Sequence, residues 1–346
     1  MRWRWMLGVI LSAGVLFLLV RQLDINQLLT ILWTADYRYL LPLVGLIALG
    51  ECWSALKWQQ ILSPLKRIAF RRLYTAFMIG HLAHVLPVLR ISPFIRAYVV
   101  GKKEGMPMST LLATIVVDRL IDGLTFLGFL ALVLLLLDFP PHMVRVEQLL
   151  RGGGGVVLLL YLALIGVLVG LRFRAERTLA FFRTLFTLLP GHLCERLMAL
   201  SATFIAGITL PRGKIRWTAI VGYAVLHKLF AASHLYIIGL AYGITLSPLA
   251  YLFFMVFLGS LTRIAGSLGI VGSFEAGTVL ALGWYGVPAE TALSMALVVR
   301  IASLGTVVLL GVPSYWIEEL GWSEMRTEMT GHLAATSIDE TAVEGN

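Results

Sequence analysis

The chain has 346 residues, of which 59% are hydrophobic and 14% charged, and its mean hydropathy is +0.87. Apolar tracts near 20 residues recur from end to end, which excludes a water-soluble globular protein and leaves no stretch long enough for a separate soluble catalytic domain. The net charge of +9 does not indicate nucleic acid, because the basic residues cluster in loops beside apolar spans, where anionic lipid headgroups are the usual partner.

In chain order, Met6 to Val20 lies behind Arg2 and Arg4 like a signal-peptide core. Arg21-Gln22-Leu23-Asp24 offers no small-residue cleavage site, so 5–21 is expected to be an uncleaved first span. Further spans are expected at 39–57, 108–137, 152–171, 217–242 and 289–316. Two other apolar regions, 73–103 and 247–287, are less simple, and charge bias decides how to treat them. The loop 57–72 carries Lys57, Lys66, Arg67, Arg71 and Arg72 with no acid. The loop 172–216 carries eight basic residues, from Arg172 to Arg216, against Glu176 and Glu195. Both loops face the cytoplasm only if 73–103 dips in and returns as a re-entrant hairpin. The same logic makes 247–287 a dip from the outer side and leaves both termini cytoplasmic. Within 172–216, Leu179, Phe182, Phe186 and Leu189 fall at helical spacing beside arginines, as in an interfacial helix. Cys52 and Cys194 are far apart and are expected to sit unpaired in helices. The expectation is an all-α polytopic membrane protein: one membrane domain over 1–322, six full spans plus two re-entrant hairpins, and a polar, disordered tail over 323–346.

An internal repeat supports this layout. Residues 105–119 read GMPMSTLLATIVVDR and residues 286–300 read GVPAETALSMALVVR, with Gly105/Gly286, Pro107/Pro288, Thr110/Thr291, Leu112/Leu293, Val117/Val298 and Arg119/Arg300 identical at one offset. Each copy follows a proposed hairpin, so each unit reads span, hairpin, span, over about 39–137 and 217–316. Three crossings separate the two hairpins, so the repeat is inverted, the design of alternating-access transporters with a substrate site between the halves.

A charge at the bilayer centre costs about 2.5–3.5 kcal/mol on insertion scales, so charged residues inside apolar tracts need partners or a wet cavity. Here these are Glu51, Arg90, Arg96, Asp118, Arg119, Asp122, Lys228, Arg263, Glu275 and Arg300. Asp118 and Asp122 share a helix face, and Arg119 points about 100° away. One reading pairs Arg119 with a carboxylate to fix helix packing. The other gathers Arg96, Arg119, Arg263 and Arg300 around a cavity for a lipid phosphate, whose oxygens a planar guanidinium grips with two hydrogen bonds. Arg90, nearer a hairpin tip, is the weaker candidate. Pro87 in the first hairpin and Gly266, Gly269 and Gly272 in the second are expected to permit turns at membrane depth. Glu275, among those glycines, is expected to pair with an arginine of the opposite repeat rather than carry protons. His81 and His84 share one hairpin and His227 and His234 one helix, without a cysteine or carboxylate at ligand spacing, so no metal is expected. No phosphate-binding glycine loop and no other cofactor motif occurs.

At these residues the chain resembles the lysylphosphatidylglycerol synthase transmembrane-region family, also called flippase-like domain proteins, over roughly 8–316. GIVGSFEAGTVLALGWYGVPAETALSMALVVR carries the match through Gly269, Gly272, Glu275, Gly286 and Arg300, and VVDRLIDG is similar to the family's acid-Arg-Leu-x-Asp element. The first hairpin departs from the pattern: HVLPVLRISPFIRAYVV keeps Leu86-Pro87 and Arg96-Ala97, but Val88, Ser92 and Pro93 stand where glycines and a glutamate are expected. The resemblance implies movement of a lipid between leaflets, such as an aminoacylated phosphatidylglycerol, a polyprenyl-linked sugar or a hopanoid. It does not imply lipid synthesis, since no segment corresponds to the aminoacyl-transferase domain that some members carry. The expected function is therefore a non-enzymatic lipid flippase of the bacterial or archaeal inner membrane. Its substrate would be an anionic or polyprenyl-linked lipid, and a lipid-synthesising enzyme is a possible partner. The substrate residues would be Arg96, Arg119, Arg263, Arg300, Glu275, Asp118, Asp122, Glu51 and Lys228. A scaffold for a lipid-modifying enzyme and a membrane-embedded lipid transferase are the alternatives, and nothing in the sequence specifies an oligomeric state.

Overall fold

The computed structural model describes residues 24–85, 92–186, 191–208, 213–267 and 272–318. The described chain is all-α, with twelve helices: α1 Ile25–Thr34, α2 Leu40–Leu62, α3 Phe70–Val85, α4 Ser92–Glu104, α5 Met108–Leu136, α6 Val144–Phe173, α7 Ala175–Phe186, α8 Gly191–Gly207, α9 Lys214–Ala241, α10 Pro248–Ser267, α11 Ser273–Gly283 and α12 Ala289–Ile317. Five helical segments among these residues are long and apolar enough to cross a membrane, centred on α2, α5, α6, α9 and α12. They match five of the six expected spans; the first, 5–21, lies outside the described residues, as do the tail, Leu189, Arg90, Pro87 and Gly269.

Local chemistry sets the ends of these helices. Asp24 caps α1, its carboxylate accepting from the backbone N–H of Asn26 at 2.9 Å and of Gln27 at 3.2 Å. Asp36 does the same for the short turn leading into α2, accepting from Arg38 N–H at 3.0 Å. Gly105 and Gly286 both turn the chain with positive φ, +64° and +77°. Pro107 and Pro288 then stand immediately before α5 and α12 with extended ψ. The two long helices that follow are 29 residues each and occupy equivalent positions of the sequence repeat.

Two boundaries differ from expectation. α2 runs on to Leu62, because Ser54, Ala55, Trp58, Ile61 and Leu62 are buried and keep the helix going. Lys57 therefore lies inside a span rather than in a cytoplasmic loop. α6 begins at Val144, eight residues ahead of the expected 152, and absorbs Arg145, Glu147 and Arg151, the last two paired at 2.8 Å one helical turn apart.

Regions 73–103 and 247–287 each form two helical limbs, α3 with α4 and α10 with α11, packed side by side. Gly272 at the start of α11 is left-handed, φ +87°, whereas Gly266 lies within α10. The packing is matched between the halves. α2 packs on α9; α3 crosses onto α12 as α10 crosses onto α5; α4 packs on α5 as α11 packs on α12. A glycine allows the close approach at both crossings. A methyl on Gly311 of α12 would sit 3.0 Å from Leu82 Cβ, and one on Gly259 of α10 would sit 2.8 Å from the Phe126 ring.

The interior holds two large apolar cores. One gathers Leu62, Phe77, Val99 and Ile115 around the α3–α4 limbs. The other gathers Phe253, Leu282, Met295 and Val133 around the α10–α11 limbs. α2, α5 and α9 contribute one end to each core, so their middles lie between. α8 lies against α5, where Gly207 approaches the Thr110 carbonyl too closely for any side chain. α6 is almost wholly exposed, as a helix facing lipid would be.

Candidate functional site

The polar residues of the apolar tracts collect in the layer between the two cores. Glu51 is the midpoint of α2 and Asp122 of α5, while His227 and Lys228 straddle the midpoint of α9. A 23-residue helix is about 34 Å long, close to the hydrocarbon thickness of a bilayer, so its midpoint lies near the membrane centre.

The inner part of this layer is neutralised internally. Lys57 Nζ lies 3.0 Å from Asp118 Oδ1 and 2.5 Å from Asp122 Oδ1. Arg96 Nη2 is 3.6 Å from Asp118 Oδ2. The Arg96 guanidinium lies between the Phe77 ring, 3.5 Å from the centroid, and the Trp58 ring at 4.5 Å. That sandwich replaces part of the hydration lost by a side chain only 1% exposed. Trp58 is fixed in turn by donating its indole N–H to Thr114 Oγ1 at 3.1 Å. Arg96 and Asp118 thus form a packed strut between α4 and α5, closed to any ligand in this conformation.

The outer part is not neutralised. Arg119 of α5, Lys228 of α9 and Arg263 of α10 lie in one another's electrostatic field and in that of Asp122. Among the described residues no carboxylate makes an ion pair with any of the three. Arg119 and Arg263 are exposed, and Arg263 rests over the Phe126 ring, 4.1 Å from its centroid. Counting Lys57 and Arg96, five cations face the three carboxylates Glu51, Asp118 and Asp122, an excess of two positive charges near mid-membrane. Three cations at that depth require water or an anion.

Glu275 and Arg300 form their own pair. Both guanidinium contacts are hydrogen bonds, Nε to Oε1 and Nη2 to Oε2, the latter at 2.9 Å. The expectation that Glu275 binds an arginine of the opposite repeat is therefore corrected: its partner lies one helix on in its own half. The physical reason is proximity, since α11 and α12 are joined by a short turn and pack together. The pairing of Arg119 with a carboxylate is also replaced, because Lys57 and Arg96 reach Asp118 and Asp122 from the face on which those acids lie. Glu51 faces His81, Oε2 to Nδ1 3.4 Å. Of the residues expected at the site, Arg119, Lys228, Arg263, Asp122, Asp118 and Glu51 share the layer, Arg96 closes its inner wall, and Arg300 and Glu275 stand as a separate pair. Lys57 was missed because it stood at the last residue of the expected span, 39–57, and was counted with the charges of the loop 57–72. The signal was present in the Trp58, Ile61 and Leu62 that continue the apolar face. Among the described residues no three His, Cys, Asp or Glu side chains gather as a metal site would require.

No curated protein and no solved structure matches the chain. A profile of the family described as the lysylphosphatidylglycerol synthase TM region matches residues 5–311, nearly the whole chain. Membership in that family associates a multi-pass membrane protein with membrane lipids. That match over most of the chain, on a chain with long apolar helices, shows the family: the chain belongs to the lysylphosphatidylglycerol synthase transmembrane-region family.

Proposed function

We propose that this protein is a flippase that moves an anionic lipid between the leaflets of a bacterial or archaeal inner membrane. The observation that carries the reading is the group Arg119, Lys228 and Arg263: three cations from three helices, with no carboxylate in contact among the described residues, Arg119 and Lys228 lying near the midpoints of membrane-length helices and Arg263 reaching them from α10. A lipid phosphate supplies the missing charge, and its acyl chains remain in the bilayer beside the exposed arginines. The matched crossings of α3 on α12 and α10 on α5 are the joints about which the halves would rock to open the layer to one side and then the other. The Glu275–Arg300 pair would steady α11 against α12, and both termini would be cytoplasmic. On this reading the chain performs no covalent chemistry of its own and works beside a lipid-synthesising enzyme.

The test is reconstitution in liposomes containing fluorescent phosphatidylglycerol or phosphatidylcholine, with dithionite added outside to quench the outer leaflet. Wild type is expected to expose inner-leaflet phosphatidylglycerol. Arg119→Gln and Arg263→Gln should each slow that movement by about tenfold or more, the loss of one charge-assisted hydrogen bond worth about 1.5–3 kcal/mol. Arg300→Ala and Glu275→Gln should slow it by loosening α11 from α12. If a folded, monodisperse preparation moves no lipid, a scaffold becomes the better reading. Release of a modified lipid would instead indicate a transferase.

A further inference from the structure

Glu51 stands apart from the other buried charges. Its Oε2 is shielded from solvent and accepts no hydrogen bond, and its ion-pair partner among the described residues is an imidazole, His81 Nδ1 at 3.4 Å. Across α2, one residue earlier, the Gly50 carbonyl lies 3.0 Å from His227 Nδ1, which is also 3.0 Å from Ser54 Oγ. Donation from Nδ1 to the carbonyl leaves Nε2 as the free lone pair of a neutral His227. α2 thus carries a carboxylate between two imidazoles, His81 on α3 and His227 on α9, and His227 lies in the field of Asp122 and Lys228 of the cation layer.

We propose that Glu51, His81 and His227 form a proton site that couples proton movement across the membrane to lipid movement. This rests on the flippase reading and supplies its energy source. A proton entering from one side binds Glu51 Oε2 and leaves to water on the other side; no other bond forms or breaks. Protonation of Glu51 removes the negative charge that holds His81, loosening α3 from α2. α3 is the limb that crosses onto α12, so the proton acts on the joint between the halves. The other groups facing this site do not replace it. Cys52 lies beside Glu51 on α2 and Tyr74 one side of α3; Arg96 of α4 is held by Asp118 and the two aromatic rings; His234 of α9 lies a further two turns along. From α5, Asp118 and Asp122 are already held by Lys57. Among the described residues α12 places no charge in contact with Glu51, and Glu275 is satisfied by Arg300.

The experiment uses full-length protein in vesicles of phosphatidylcholine with a trace of fluorescent phosphatidylglycerol, the membrane potential clamped with potassium and valinomycin. With one proton exchanged per lipid, an imposed gradient of one pH unit drives up to about a tenfold excess of probe in one leaflet. Glu51→Gln and His81→Gln abolish that excess, and Glu51→Asp restores part of it. In the infrared difference spectrum between pH 8 and pH 5, wild type shows a protonated carboxyl band that Glu51→Gln lacks. Probe movement that is the same with and without a gradient overturns proton coupling and leaves the flippase reading standing. No probe movement under any condition overturns both. An unchanged excess in Glu51→Gln, or a carboxyl band that survives the substitution, removes Glu51 from the site.

Discussion

Lys57 shows how a single buried cation organises the chemistry around it. Its ammonium is 1% exposed and holds two carboxylates one helical turn apart that would otherwise repel each other in a low-dielectric layer. Lys57→Met should cost about 3–5 kcal/mol, the usual penalty for leaving a buried charge without its partner. The check is the thermal unfolding midpoint in detergent. Adding Asp122→Asn to Lys57→Met should recover much of the loss, because removing both charges leaves neither stranded. If the double variant were as unstable as the single, the loss would come from the packing of the lysine stem instead. Arg96 is set by the same logic. Its charge is balanced by Asp118 and its faces by Phe77 and Trp58, so it behaves as core while Arg119, one residue from Asp118, behaves as surface. The motif around Asp118, Arg119 and Asp122 was readable from residue spacing alone, including the divergence of Arg119 from the two acids. The identity of their partners was not, since Lys57 and Arg96 lie 61 and 22 residues away from Asp118 and meet it only through helix packing.

At the scale of elements, glycine decides how closely limbs approach. A methyl on Gly80 of α3 would lie 2.8 Å from Arg96 Cγ and 3.0 Å from Ser92 Oγ. Arg96 cannot swing aside, because it is clamped between two rings. Gly80→Ala should therefore force α3 and α4 apart and cost about 1–3 kcal/mol, read from the same unfolding midpoint. The far end of α4 is tied down by charge. Glu104 accepts from Lys66 Nζ at 2.8 Å and from Arg72, and Lys103 of the same turn lies 3.9 Å from Glu318 at the end of α12. Burial alone would raise the Glu104 carboxyl, but the two cations outweigh it and hold it below the ordinary 4.5. A depressed acid stabilises the fold fully above its unfolded value and loses that contribution as pH falls through the folded one. Wild type should thus exceed Glu104→Gln in unfolding midpoint by a constant margin above about pH 5. That margin should shrink as the pH is taken below 4.5. A margin independent of pH would assign the contact to packing rather than charge.

At the scale of the molecule, the two apolar cores are separate bodies joined through the middles of α2, α5 and α9, with the polar layer at their junction. If the halves rock about the α3–α12 crossing, a covalent tie there must stop them. Cβ atoms at 82 and 311 would lie 3.0 Å apart, so a disulfide needs only a slight opening to reach its usual 3.5–4.5 Å. Leu82→Cys with Gly311→Cys, in a background with Cys52 and Cys194 replaced by serine, should lose lipid movement on oxidation and regain it with reductant. Movement that persists after complete cross-linking would rule out rocking at this joint. The sequence by itself determined the membrane character, five of the spans, the two limbed regions, the Gly-x-Pro starts of the repeat copies and the membrane-embedded charges, because hydropathy and the cost of burying charge are local properties of the chain. Only the tertiary structure decided which charges pair: Lys57 and Arg96 with the aspartates and Arg300 with Glu275, while among the described residues Arg119, Lys228 and Arg263 make no ion pair with a carboxylate. Coulomb interaction at membrane depth depends on distances of a few ångströms between helices far apart in sequence, and those distances are set by packing.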